Sequence, residues 1–279
     1  MASLRRNSGQ VLLITLLVLS VATTIVLSVI GRATTDVAIS NQIAESQRAF
    51  SAAEAGIEEI LLSGIAPVGA QVLSPGVSYS VQKADIGGAA GVYQYPSKTP
   101  VGNTETLWLV NHNANGSLVE SPTYTAGTID ICWSAETTGA AVLASVLYKS
   151  GGVYKVARAA YDPVATRRET NKFSEPSVMS GGCGANSGTT YKQTLTFANF
   201  TPAINPGSDT LISLRLSPLY GETKFAIAAP IAVPLQGSRV ESSGSTDGGT
   251  TRKIVVYQQY RTPDSIFDAV VVSGGNFSK

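Results

Sequence analysis

The sequence predicts an α+β protein: a long N-terminal α-helix, membrane-spanning at first and amphipathic further on, followed by an antiparallel β-rich globular body. Three observations predict it. Val11 to Ile30 is apolar and carries no charge. Apolar residues then recur at steps of three and four as far as Ile60. After Pro67, short alternating runs appear between clusters of Gly, Pro, Asn, Asp and Ser.

The apolar run, VLLITLLVLSVATTIVLSVI, is about twenty residues long, and at 1.5 Å per residue it reaches roughly 30 Å, the depth of a bilayer core. Arg5 and Arg6 precede it, so the positive-inside rule leaves the N-terminus in the cytoplasm and the body outside. A cleaved secretory signal is the main rival, with Gly31-Arg32-Ala33 as a small-x-small site, but its apolar core usually spans only about 7–15 residues. No proline interrupts Gln10 to Leu62. Gly31 is the weak point, at about 1 kcal/mol relative to Ala.

The second half of the helix carries a stripe of Ile39, Ile43, Ser46, Phe50, Ala53, Ile57 and Ile60. These are the residues expected to pack the helix, on the protein's own body or on neighbouring helices. Ser63-Gly64 and Pro67 end it. The expected organisation is a spine helix over residues 10–64, with the membrane segment at 11–30, and an exported β-rich domain over 65–279.

In that domain Val77 to Gln82 alternates cleanly, and Leu107 to Val110, Thr128 to Trp133, Ala141 to Tyr148 and Val153 to Ala160 read as strands. Lys149-Ser150-Gly151-Gly152 is a hairpin turn between the last two. Thr190 to Phe200, Leu211 to Leu216, Thr223 to Ala228, Lys253 to Tyr257 and Phe267 to Val272 continue the series. Many short strands suggest antiparallel sheets in a sandwich or two small layers. Ser242 to Thr251, SSGSTDGGTT, reads as a flexible linker, or as a turn with Asp247-Gly248. Trp108 and Trp133, among apolar neighbours, are expected in a core.

Charged residues make up 14% of the chain and the formal net charge is +1, which gives no global electrostatic reason to bind nucleic acid or an anionic surface. Cys132 and Cys183 are the only cysteines; in an exported body they suit one disulfide, with two separate thiols as the alternative. The single histidine, His112, lies in Asn111-His112-Asn113 and reads as an ordinary surface residue. Four Cys or His ligands for tetrahedral zinc cannot be assembled. No P-loop, dinucleotide fingerprint, HExxH or EF-hand pattern occurs. The expectation is no catalytic residue, no metal and no cofactor. Lys155, Arg158, Arg167, Arg168 and Lys172 form a weak anion-binding candidate, interleaved with Tyr154, Tyr161 and Phe173 and diluted by Asp162, Glu169 and Glu175.

The N-terminal pattern resembles a known family. A short basic leader ends in Gly9 and the apolar run follows from Gln10. This is similar to the signal of type IV prepilins and secretion pseudopilins. The stretch Arg48-Ala49-Phe50-Ser51-Ala52-Ala53-Glu54-Ala55-Gly56-Ile57 resembles that of PilX-like minor pilins. The resemblance covers roughly the first 65 residues. It implies a leader over 1–9, cut by a prepilin peptidase between Gly9 and Gln10, and N-methylation of Gln10. It also implies a structural, non-enzymatic role: a minor subunit of a type IV pilus or secretion-like pseudopilus, partnered by other pilins through the helix. The protein would sit in the cytoplasmic membrane with its body exported, then at the cell surface in a filament. The glutamate of major pilins, counted from Gln10, is replaced by Ile14. That departure points to a minor or tip subunit. The alternative is a single-pass surface protein whose body binds a glycan or protein and never enters a filament.

Overall fold

The computed structural model describes residues 8–113, 115–136 and 139–268. In chain order its elements are α1 (Ser8–Ser63), β1 (Gln71–Ser74), β2 (Val77–Ile86), β3 (Gly91–Thr99), β4 (Glu105–Trp108), β5 (Asn111–His112), β6 (Leu118–Val119) and β7 (Thr128–Trp133). They continue with β8 (Ala141–Ser150), β9 (Val153–Tyr161), α2 (Ala165–Asn171), β10 (Tyr191–Thr196), β11 (Thr210–Leu219), β12 (Thr223–Ala229), β13 (Gly237–Thr246) and β14 (Thr251–Gln259). The layout is α+β, a long helix followed by antiparallel sheets. The expected strand at Phe267 to Val272 falls mostly outside the described residues.

The chain forms two compact units. Unit one takes the described residues up to Lys83 together with Val240–Val256; unit two takes Ala84–Arg239 and the described residues from Tyr257 on. The boundary expected between residues 64 and 65 therefore moves. The end of the helix needs a sheet to cover it, and residues 65–83 and 240–256 supply that sheet.

Unit one is α1 laid on a four-stranded sheet of order β1-β2-β13-β14. The buried helical face is Ala49, Ala52, Ala53, Gly56, Ile57 and Ile60, spaced as one side of a 3.6-residue helix. Ile57 and Ile60 pack with Val81 and Val240, each burial worth about 1.5–3 kcal/mol. Upstream the two surfaces meet through small residues. A Cβ on Gly56 would overlap Ser242 Oγ and lie 2.8 Å from Tyr79 Cδ2; one on Gly244 would overlap the Ala49 carbonyl and lie 2.6 Å from Ala53 N. The segment expected to be a linker is thus the packing face of a strand. Burial alternates strictly along β13, with Ser242, Gly244 and Thr246 turned inward. Ser and Gly are there because the helix lies too close for anything larger. Only Asp247 to Thr250 forms a turn, closed by Gly249 N–H donating to the Thr246 carbonyl at 2.9 Å. At the helix end Gly64, with φ of 72°, donates its N–H to the Ile60 carbonyl at 2.7 Å.

Unit two is a sandwich. One sheet has the order β10-β7-β12-β3 and the other β4-β11-β8-β9. Its core takes Ile129, Ile131, Trp133, Phe225 and Ile227 from the first sheet, and Leu107, Val142, Val146, Leu214 and Leu216 from the second. Ser150 pairs with Val153, and Gly151 and Gly152 have φ of 57° and 80°, as a two-residue hairpin of right-handed twist requires. Both tryptophans are buried. Trp133 Nε1 donates to the Ala140 carbonyl at 2.9 Å.

Candidate functional site: the apolar helix

α1 is a single helix of 56 residues, about 84 Å long. It is long and apolar enough to cross a membrane, with a mean hydropathy of 2.6 over its most apolar window, none of which is buried against the rest of the chain. Leu12, Leu13, Leu19 and Leu27 are 63–67% exposed. A side chain on a helix standing in water reaches such exposure only if nothing covers it. An apolar run of this size stays stable only with lipid or other apolar helices around it.

Four of the five hydroxyls of the run, those of Thr15, Ser20, Thr23 and Thr24, are bonded back onto the helix. Thr15 Oγ1 donates to the Leu12 carbonyl at 2.9 Å, Ser20 Oγ to Leu17 at 2.9 Å, and Thr24 Oγ1 to Ser20 at 2.7 Å. Thr23 donates to the Leu19 carbonyl. Hydroxyls bonded back onto the helix need no water, so these four residues do not disqualify the span.

The expected packing stripe divides in two. Ala53, Ile57 and Ile60 are buried in unit one. Ile39, Ile43 and Phe50 are 51%, 54% and 47% exposed, so they do not pack on the protein's own body. The sheet buries apolar helix residues only from Ala49 onward, on a face turned slightly away from Phe50; upstream its contacts are polar, as where Arg252 Nε donates to Ser46 Oγ at 2.8 Å. The sequence signal missed was Ala49, Ala52 and Gly56, small residues that weigh little in an apolar periodicity but permit the closest approach.

The other expected sites lie in unit two. Cys132 and Cys183 form a disulfide, with S–S 2.09 Å and Cα–Cα 5.7 Å. Among the anion-binding candidates, Lys155 and Arg158 sit on β9. Arg167, Arg168 and Lys172 lie on or beside α2, turned to intramolecular partners. The buried carboxylate of Asp162 accepts from Arg167 Nη2 at 2.7 Å, Asn171 Nδ2 at 2.8 Å and Val164 N at 2.9 Å. Arg168 pairs with Glu175 at 3.2 Å, and Lys172 Nζ donates to the Glu169 carbonyl. Burial pushes the Asp162 carboxyl up, but the hydrogen bonds and charge of Arg167, with Val164 and Asn171, outweigh it and hold the group below its usual range.

His112 is not an ordinary surface residue. Its ring stacks on Tyr260 at 3.8 Å and meets Trp108 edge-on at 4.9 Å, and its Nδ1 is buried without a partner. Among the described residues no three of His, Cys, Asp and Glu gather as metal ligands would. Comparisons of the chain with protein-family models, curated proteins and solved structures return no match.

Proposed function

We propose that this protein is a membrane-anchored structural subunit assembled through its N-terminal helix, of the minor-pilin or pseudopilin kind. The supporting observation is the continuity of α1. A bare apolar span leads, without a break, into a half-covered segment where Ile39, Ile43 and Phe50 stay open while Ala53, Ile57 and Ile60 are docked. A plain anchor needs the span but has no use for the open residues beyond it. A subunit that leaves lipid for a bundle of sibling helices uses both. The helix would cross the cytoplasmic membrane once, with the body outside, and no catalytic step is assigned to it.

The test is mass spectrometry of the mature N-terminus, together with isolation of surface filaments. Methylated Gln10, in filaments that contain the body, is the expected result. An intact Met1 with no filaments would favour the single-pass surface protein, and a start near Thr34 would favour secretion.

A further inference from the structure

Between Leu61 and Leu73, unit one turns six large apolar residues to the outside. Leu61, Leu62 and Ile65 are 50%, 89% and 75% exposed, and Val68, Val72 and Leu73 are 97%, 79% and 47% exposed. They come from the end of α1, the loop after it, and β1, an edge strand of its sheet. Single exposed apolar residues are common on any protein, but a run of them this dense marks a contact surface.

The loop is fastened at several points. Ile65 N donates to Ser63 Oγ at 3.2 Å, and Gln71 Nε2 donates to the Val68 carbonyl at 3.2 Å. Ala66 packs inward on the cluster of Ile57, Ile60, Val81 and Val240. A tethered loop with Ala66 turned in and Ile65 and Val68 turned out offers a surface of fixed shape, which a partner can meet at low cost in ordering.

No charged residue occurs from Ile60 to Gln82. The charges at the two margins are engaged within unit one. Glu59 accepts from the Tyr79 hydroxyl at 2.8 Å, and Lys83 Nζ donates to the Gly64 carbonyl at 2.9 Å. The patch therefore has nothing to select a charged partner and nothing to repel its own copy. The bilayer that would hold the span does not reach it, because Leu62 lies about 48 Å beyond Ile30 on the same helix.

Area and geometry both suit a second copy. The six residues open roughly 700 Å², near the ~800 Å² that each partner of a standard-size complex buries. Two chains anchored in one membrane in the same sense share a two-fold axis along the membrane normal. Each height on one chain then meets the same height on the other. Ile65, Val68 and Val72 of one copy face their own counterparts, an apolar match. Confinement to one membrane also raises the effective concentration of the second copy.

We infer that this patch pairs two copies of the chain side by side, loop against loop beyond the end of α1. The inference rests on the anchoring part of the proposed function and is independent of entry into a filament.

The test uses the full chain in liposomes of phosphatidylethanolamine and phosphatidylglycerol. Flotation with the lipid reports anchoring, and disulfide cross-linking reports pairing. The two native cysteines are bonded to each other, so Val68→Cys adds the one free thiol. Under mild oxidation it should form a covalent dimer at least tenfold faster than Thr251→Cys, an exposed site on β14 at the opposite edge of the sheet. Adding Ile65→Asp to Val68→Cys should slow cross-linking at least tenfold and leave the melting temperature unchanged, since Ile65 already faces water. A chain that floats but cross-links no faster at Val68 than at Thr251 overturns the inference and leaves anchoring intact. Cross-linking that Ile65→Asp does not slow overturns it too. A chain that fails to float refutes anchoring and, with it, the pairing geometry. Quenching of a bimane on Val68→Cys by brominated lipid assigns the patch to a bilayer and equally overturns the inference.

Discussion

Gly244 of β13 lies against the Ala49 carbonyl of α1 so closely that no Cβ fits between them. Backbone bounds the site on both sides, so a side chain placed there has no flexible neighbour to displace.

Gly244→Ala and Gly56→Ala should therefore each destabilise unit one by about 1–3 kcal/mol, the usual cost of overpacking. Gly31→Ala is the control. A Cβ at Gly31 meets nothing within 4 Å, so the change should leave the melting temperature of unit one alone. Thermal unfolding in detergent followed by circular dichroism separates the three variants.

Ile39, Ile43 and Phe50 are open on the isolated chain. Replacing Ile43 or Phe50 by Glu should leave the fold and melting temperature nearly unchanged and abolish filament assembly. Electron microscopy of sheared surface material provides the readout, and filaments at normal yield in both variants would argue against assembly through this face.

The disulfide between Cys132 and Cys183 joins residues 51 apart. In the chain-entropy picture a loop of that length contributes about 4 kcal/mol. The double variant Cys132→Ser, Cys183→Ser should lose most of that from unit two. Denaturant titration checks it, and alkylation of both thiols in the oxidised protein would show the bond absent.

Asp162 gathers Arg167, Asn171 and the Val164 N–H around one buried carboxylate. Asp162→Asn should destabilise the α2 region by roughly 3 kcal/mol, because the guanidinium is left without its counter-charge. The folded carboxyl titrates below its ordinary value of 3.8. Its stabilisation is therefore complete above that value and is lost as pH falls through the lower, folded one. Amide exchange at residues 165–175, followed from pH 5 down to about 2.5, should show that loss in the parent and not in the variant.

Burial lowers the pKa of His112 from 6.5. Folding favours its neutral ring, so the unfolded chain takes up the proton first. Stability should be level at high pH, decline as pH drops through 6.5, and flatten below the folded value. His112→Phe keeps an aromatic ring beside Tyr260 and should remove the decline between about pH 7.5 and 5.5. Melting temperatures across that range decide the matter.

Much of unit two was legible because local chemistry and tertiary role agree there. Thr128 to Trp133 alternates and pairs at those bounds. Lys149 to Gly152 carries the glycines a tight hairpin needs. The apolar helix was legible for the same reason, since an uncharged run of that length has few other uses. Ser242 to Thr246 was not, because a small polar composition reads as linker unless the helix against it is known. β3 was also missed: Pro96 sits in its middle, tolerated because β3 is an edge strand. The stripe predicted on α1 had the right period but the wrong face at Phe50. Apolar weight marks the bulky residues, and the true contact is made by the small ones. The aromatic stack at His112 joins residues 108, 112 and 260, a separation that no local pattern reports.

The sheet beneath α1 is drawn from both sides of a long excursion, since the chain leaves unit one after Lys83 and returns at Val240. During translation the apolar helix emerges from the ribosome before the sheet that covers its end, and the strand bearing Ser242 and Gly244 follows more than a hundred and fifty residues later. Ala49, Ala52 and Gly56 must wait uncovered through that interval. Nonsense or frameshift lesions between codons 64 and 240 would deliver the whole of α1 without β13, a product whose alanine face stays bare.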